Sequence, residues 1–324
     1  MSNRQNRDDF NRDRLFLHIE KKWTLKINEI KTIKPNVYLL YTNGGKRIIK
    51  GYKNPERLNL QIKFSQSLHQ NGFQFTSFYE NHRNLKPIVF NDERYWGIMP
   101  YIENSFRFTF SSLEDRLEAS RLINTFHTYS KSILQQFSPF IPTFNLYAKW
   151  IFRLKMFYSR RSSIEFYIGK EKFKVIESWS NWSLHFLYSE LQNAYEESLT
   201  IVHGDVAHHN FVRDINKTLY LIDFDLISIA PPSFDYVQFA NRISAYANWS
   251  FQELRSYPEL EKYLQKRWFL CALLFPTDIL REWNRYFRLS PLQQINELEL
   301  IKTATEKQVE GRKEFVGILF NMVR

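Results

Sequence analysis

The chain has 324 residues, 44% of them hydrophobic and 17% aromatic, and carries a formal charge of +11. That content suffices to bury a large core and argues against disorder away from the ends, while no apolar run reaches the ~20 residues of a membrane span. A single cysteine, Cys271, excludes an internal disulfide and suits a reducing, cytoplasmic setting; it sits in the apolar run Trp268–Phe275 as a small core residue.

The first 14 residues are polar, alternate in charge and lack a signal-peptide core. Residues 15–22 read as a short helix. From Leu25 to Tyr52 the pattern turns strand-like, with apolar runs at Leu25, Ile27, Val37–Tyr41 and Ile48-Ile49, and Asn43-Gly44-Gly45 marks a hairpin between the last two. A helix over Pro55–Gln70 and two more strand-like runs, Pro87–Phe90 and Tyr95–Met99, complete a small antiparallel sheet with one helix.

Beyond residue 102 the period becomes helical. Leu113, Leu117, Leu122, Phe126 and Ile133 stripe a helix over Leu113–Gln136, and Pro139 and Pro142 end that region. Asn145–Arg160 and Lys172–Glu197 read as further helices rich in aromatic residues, with His127 and His185 as core or capping residues. The densest basic patch is Arg153, Lys155, Arg160, Arg161, Lys170, Lys172 and Lys174. No nucleic-acid motif accompanies it, so a solvated helix face explains it better than a nucleic-acid partner.

The stretch Ile201–Asp225 concentrates the chemistry. Two apolar runs, Ile201-Val202 and Leu219–Ile222, open into polar segments that carry His203, Asp205 and Asn210, then Asp223. The spacing H-G-D-x-x-x-x-N, followed by I-D-F-D, matches the protein-kinase catalytic loop and its later metal aspartate, with Gly204 in place of an arginine. Phosphoryl transfer needs a carboxylate for the acceptor hydroxyl and hard oxygens for magnesium. Asp205 fits the base, Asn210 and Asp223 the Mg²⁺ ligands, and His203 a brace for the loop through its ring N–H. Further on, Ile227–Pro232 cannot be regular helix, and 233–324 reads as helices split by Pro258, Pro276 and Pro291.

HGDVAHHN and LIDFD resemble the signature of the aminoglycoside phosphotransferase and choline kinase superfamily. RIIK at 47–50, SLHQNGF at 67–73, WGIMPYIE at 96–103, the helix ending in Asn124-Thr125-Phe126-His127, and LLFPTDILREW at 273–283 resemble its spore-coat kinase-like members in endospore-forming bacteria. The resemblance implies an α+β, protein-kinase-like bilobal fold, with a nucleotide-binding lobe at 1–101 and a catalytic, acceptor-binding lobe at 102–324.

It also implies roles. Lys50 becomes the lysine that neutralises the phosphates of ATP. Met99, Tyr101 and Ile102 become the hinge where adenine meets backbone groups. Asp235 becomes the aspartate that anchors the catalytic loop. Two kinase parts are altered: the turn at Lys34-Pro35-Asn36 has no glycine, and Gln61 stands where a glutamate would pair with Lys50, with Glu56 at the helix start.

The implied activity is ATP-dependent phosphorylation of a small-molecule hydroxyl, and the alternative is a spore-coat component with little catalysis and other coat proteins as partners. Asp225, Asp278 and Glu282, beside Trp179, Trp182, Trp249 or Trp283, would suit a cationic acceptor.

Overall fold

The computed structural model describes residues 14–80, 88–90, 94–104 and 106–324; Pro87 and the polar stretch 1–13 lie outside the described residues. Helix α1 (14–23) precedes strands β1 (Ile27–Lys34), β2 (Val37–Thr42) and β3 (Gly45–Tyr52), helix α2 (Pro55–Gln70), and strands β4 (Ile88–Phe90) and β5 (Arg94–Pro100). Five helices follow: α3 (Leu113–Ser132), α4 (Leu134–Phe137), α5 (Leu146–Tyr158), α6 (Arg161–Ile168) and α7 (Lys170–Glu190). Next come four short strands, β6 (Thr200–Val202), β7 (Phe211–Arg213), β8 (Leu219–Leu221) and β9 (Ser228–Ala230). The chain closes on α8 (Ser233–Ser244), α9 (Phe251–Arg255), α10 (Pro258–Leu264), α11 (Arg267–Leu274), α12 (Thr277–Tyr286) and α13 (Pro291–Val323).

The fold divides into two compact units. The first takes in Met1–Arg107, Gln135–Phe140 and Phe211–Asp225, and so includes the β7–β8 hairpin. Its five-stranded antiparallel sheet runs β1-β2-β3-β5-β4. Thr42 pairs with Gly45, closing the expected hairpin over Asn43-Gly44. The β1–β2 turn is as tight: Lys34 pairs with Val37, and Asn36 adopts φ 63°, which asparagine tolerates better than most residues. Leu15, Phe16, Ile19 and Trp23 of α1 pack with Leu40, Ile49, Trp96 and Ile98 of the sheet. Asn54 caps α2, with Pro55 at its first position. Phe64 of α2 meets Phe137 and Phe224 edge-on, each at 5.4 Å, and the Leu221 N–H donates to Phe75 O.

The second unit comprises Phe108–Leu134, Ile141–Asn210 and Leu226–Arg324. At its centre β6 pairs antiparallel with β9, and Ser130 of α3 donates to Ile201 O at 2.8 Å. The strand β9 is a finding beyond the sequence pattern, as are β7 and the separate helix α6; three residues are too few to show a period. The helix expected over Leu113–Gln136 ends at Ser132 and resumes at Leu134 as one turn. Pro258 and Pro291 each start a helix, and Pro276 immediately precedes α12. Cys271 is buried in α11, which packs on α7, α8 and α13, and burial pushes its thiol up to about 12, as befits a core residue. Among the described residues no helix is long and apolar enough to cross a membrane.

Candidate active site

In the second unit, β6 delivers the chain into a loop that a single buried carboxylate holds. Asp235, on the first turn of α8, has no exposed surface. Its Oδ2 accepts the His203 N–H at 2.7 Å and its Oδ1 the Gly204 N–H at 2.9 Å, while His127 Nε2 lies 2.9 Å from Oδ2. Burial pushes this carboxyl up, but the His127 hydrogen bond and the charges and amides around it outweigh burial and hold it below the usual range. The helix has Pro232 ahead of it and no side-chain cap, so Asp235 anchors the loop rather than capping its own helix.

Gly204 has φ 79°, and a Cβ there would lie 2.2 Å from the Leu226 carbonyl oxygen. An arginine, as in the kinase pattern, would not fit this backbone without displacement. His203 is fully buried, and its Nδ1 accepts the Asp205 N–H at 3.3 Å, so the ring braces the loop from within.

Asp205 is partly exposed. Asn210 Nδ2 donates to its carbonyl at 2.8 Å, which leaves the Asn210 amide oxygen as the free acceptor end of that side chain. Arg242 Nη2 lies 2.6 Å from Asp205 Oδ1. Sequence reasoning missed Arg242, although a signal existed: it stands seven residues after Asp235, two turns along the same face of α8.

In the first unit, Lys50 Nζ bridges two carboxylates, 2.7 Å from Asp223 Oδ1 and 2.6 Å from Asp225 Oδ2. Lys34, beside the β1–β2 turn, reaches Asp223 Oδ2 at 2.9 Å. Burial pushes the Asp223 carboxyl up, but the two ammonium groups prevail and hold it well below the usual carboxylate range. An ionised aspartate with hard oxygens suits Mg²⁺, which typically takes one or two carboxylates and fills its octahedron with phosphates and water.

Gln61 does not pair with Lys50. Its Nε2 donates to Phe224 O at 2.9 Å, gripping the segment between the two carboxylates. Arg57 of α2 donates to the Asp225 carbonyl, and the Tyr52 hydroxyl donates to Asp225 Oδ1 at 2.8 Å. Lys34 and Asp225 as partners of this cluster were not foreseen. At the expected hinge, Met99 packs against Tyr52, Leu58 and Tyr79, and the Tyr101 N–H is committed to Lys46 O at 3.2 Å. Ile102 follows, partly buried, just past the end of β5.

The residues expected to receive a cationic acceptor do not offer free negative charge. Asp225 is taken by Lys50. Asp278 pairs with Arg281 at 3.3 Å, and Glu282 with Arg281 at 3.1 Å and Arg285 at 2.8 Å. Trp179 and Trp283 are core residues, the latter donating to Thr305 Oγ1 at 3.0 Å. Nor is the basic patch one solvated face: Arg161 pairs with Glu165 and Glu177 and Lys172 with Glu306, while Arg153 turns inward to Thr277.

A family model described as the phosphotransferase enzyme family matches residues 169–264, which span the loop, Asp223 and Asp235. Among solved structures, an aminoglycoside phosphotransferase from Alicyclobacillus acidocaldarius is 15% identical, covers 92% of each chain and has a TM-score of 0.67. An AMP-bound spectinomycin phosphotransferase is 15% identical, covers 96% of this chain and 99% of its own, and scores 0.65. The GDP complex of an aminoglycoside 2'-phosphotransferase is 14% identical, covers 90% of this chain and 97% of its own, and scores 0.61. No curated protein sequence matches. These likenesses show the fold: α+β and protein-kinase-like, as in the phosphotransferases.

The anchoring carboxylate makes a stability prediction. In Asp235→Asn the amide can accept only one of the two loop N–H groups and turns its own NH₂ toward the other, so about 1–3 kcal/mol should be lost per donor left unpaired. Since the Asp235 pKa is depressed on folding, its contribution is present above the ordinary aspartate value and is lost as pH falls through the folded value. Urea titrations from pH 7 into the acid range should show that loss in the wild type and not in Asp235→Asn. Equal stability of the two proteins at neutral pH would refute the anchoring role.

Proposed function

We propose that this chain is an ATP-dependent phosphotransferase that phosphorylates a hydroxyl of a small molecule. The observation that carries the reading is the fixed presentation of Asp205: its loop is pinned through His203 and Gly204 to a buried aspartate, and its own carbonyl is held by Asn210.

The acceptor oxygen attacks the γ-phosphorus, the bond from that phosphorus to the β,γ-bridging oxygen breaks, and ADP leaves with that electron pair. Asp205 orients the acceptor hydroxyl and takes its proton. Lys50, with Lys34 as a second cation, neutralises phosphate oxygens. Asn210 and Asp223 would hold Mg²⁺, which supplies charge neutralisation at the transferring phosphoryl group. Met99, Tyr101 and Ile102 flank the base of the nucleotide.

Within this reading the motifs at 67–73 and 273–283 support a spore-coat kinase-like protein, acting in the cytoplasm or in association with coat proteins. A coat component that keeps the kinase fold for structure or nucleotide binding alone would turn over little or no ATP.

Asp205→Asn should keep nucleotide binding and lose ~10²–10⁴-fold in phosphotransfer to any acceptor, water included. Equal turnover by both proteins, measured as ADP release, would remove Asp205 from the base role. Mg·ATP at ~100 times its dissociation constant should stabilise the wild type by about 2.7 kcal/mol. Asp223→Ala should abolish the Mg²⁺-dependent part of that gain in thermal melts. The absence of any gain in the wild type would sink the nucleotide assignment.

Gln61 gives a sharper test of how the lysine is held. Because Gln61 donates to the Phe224 carbonyl, Gln61→Glu should lower stability by about 1–3 kcal/mol and weaken ATP binding, although it restores the usual kinase residue. Improved ATP affinity in that variant would show that Lys50 depends on the helix after all.

A further inference from the structure

The surroundings of Asp205 within the second unit are more basic than the sequence suggested. Lys149 and Arg153 stand four residues apart on one face of α5, and α5 packs against α12. The charged groups that act on Lys149 are Arg153, Asp205, Asp235 and Arg242. Those that act on Arg153 are Arg281, Asp278, Arg242 and Arg288.

The charges can be paired off. Arg242 answers Asp205 at 2.6 Å, Arg281 answers Asp278 at 3.3 Å, and Asp235 is taken up by the loop amides and His127. Three cations are left over, the exposed Arg288 and, nearer the interior, Lys149 and Arg153. Among the described residues neither Lys149 nor Arg153 has a carboxylate within ion-pair distance. Arg153 bonds to neutral groups, the Thr277 hydroxyl and carbonyl, and Lys149 Nζ lies over the Phe144 ring at 4.5 Å. Both are partly buried, and burial is the main cause that brings Lys149 down to about 8 and Arg153 to about 10. Unanswered charge in a partly dry place costs stability. A ligand of opposite charge would recover that cost.

We infer that the acceptor is an anionic hydroxy compound, whose carboxylate or phosphate group is held by Lys149 and Arg153 while its hydroxyl is presented to Asp205. This rests on the phosphotransferase reading and narrows its substrate class. Arg242 has its own part: by neutralising Asp205 it removes the repulsion that a bare carboxylate would exert on an approaching anion. A cationic amine would instead meet Lys149, Arg153 and Arg242 together.

The test uses the full chain, Mg·ATP and matched sets of polyols that differ in one substituent: none, an amine, a carboxylate or a phosphate. ADP release gives turnover and calorimetry gives binding at millimolar concentration. Turnover should be confined to the anionic members, and the carboxylate and phosphate arms tell which anion the site takes. Lys149→Gln and Arg153→Gln should each raise KM for the anion by roughly tenfold or more, with kcat changed far less.

The melting temperature of Lys149→Gln should not fall, because an unanswered charge is lost, whereas Arg153→Gln also gives up the hydrogen bonds to Thr277. In the wild type KM should rise as pH passes about 8, where Lys149 loses its proton, and Lys149→Gln should lack that rise. A preference for neutral or amine acceptors, KM unchanged in both variants, or ATP hydrolysis without any anion bound would each overturn the inference. No binding or hydrolysis of Mg·ATP at all is a different outcome: the phosphotransferase reading fails, and this one falls with it.

Discussion

A fully buried carboxylate is tolerated only if its charge is answered from every side, and the architecture around Asp235 meets that demand. Two consecutive loop amides and an imidazole converge on it, so the loop and helix α3 are both tied to one side chain of α8. Moving any of them would strand a polar group without water. The backbone at His203 and Gly204 is fixed as a consequence, and so is the left-handed turn at Gly204 that lets the loop pass close to Leu226. Helix α8 then acts twice. Its first turn holds the loop backbone through Asp235, and two turns later Arg242 holds the Asp205 side chain. One rigid element therefore sets both where the carboxylate sits and which way it points.

The first unit solves a related problem by a different route. A protein kinase positions its phosphate lysine with a glutamate from the helix. Here the helix holds the segment and the segment holds the lysine: Gln61 and Arg57 grip the carbonyls of Phe224 and Asp225, and the carboxylates of Asp223 and Asp225 receive Lys50. Two lysines face two aspartates, so the cluster is balanced without a carboxylate from α2. A neutral amide is the better choice in the buried position of residue 61, since a carboxylate there would face a carbonyl dipole and bear its own desolvation cost.

The regular parts of this fold were legible because their signals are local. Asn43-Gly44 closes the hairpin, Pro55 and Pro291 open helices, and the apolar stripe of α3 shows its period over five turns. The strands β7 and β9 were not, since three residues carry no alternation and owe their existence to pairing, β7 with β8 in a hairpin and β9 with the distant β6. The loop chemistry was readable as a set of residue types at fixed spacing. Its wiring was not. That Gln61 bonds a carbonyl and that Asp225 serves Lys50 depend on where side chains meet across long sequence separations.

Charge illustrates the same limit most clearly. The total of +11 says almost nothing about a site, because each exposed lysine is screened by water and salt within about a Debye length. Lys155 and Arg153 looked alike in the sequence as members of one basic patch. They differ by two positions, a rotation of roughly 200° around an α-helix, so Lys155 faces solvent while Arg153 faces α12. At an effective dielectric near 20 a unit charge at 4 Å is worth about four times what it is worth in water. A partly buried charge such as Lys149 or Arg153 therefore weighs more than an exposed one such as Lys155 on the same helix. The carboxylates of α12 obey the same rule from the other side. Each is cancelled by an arginine a turn or less away, so an acidic stretch of sequence does not amount to an acidic surface.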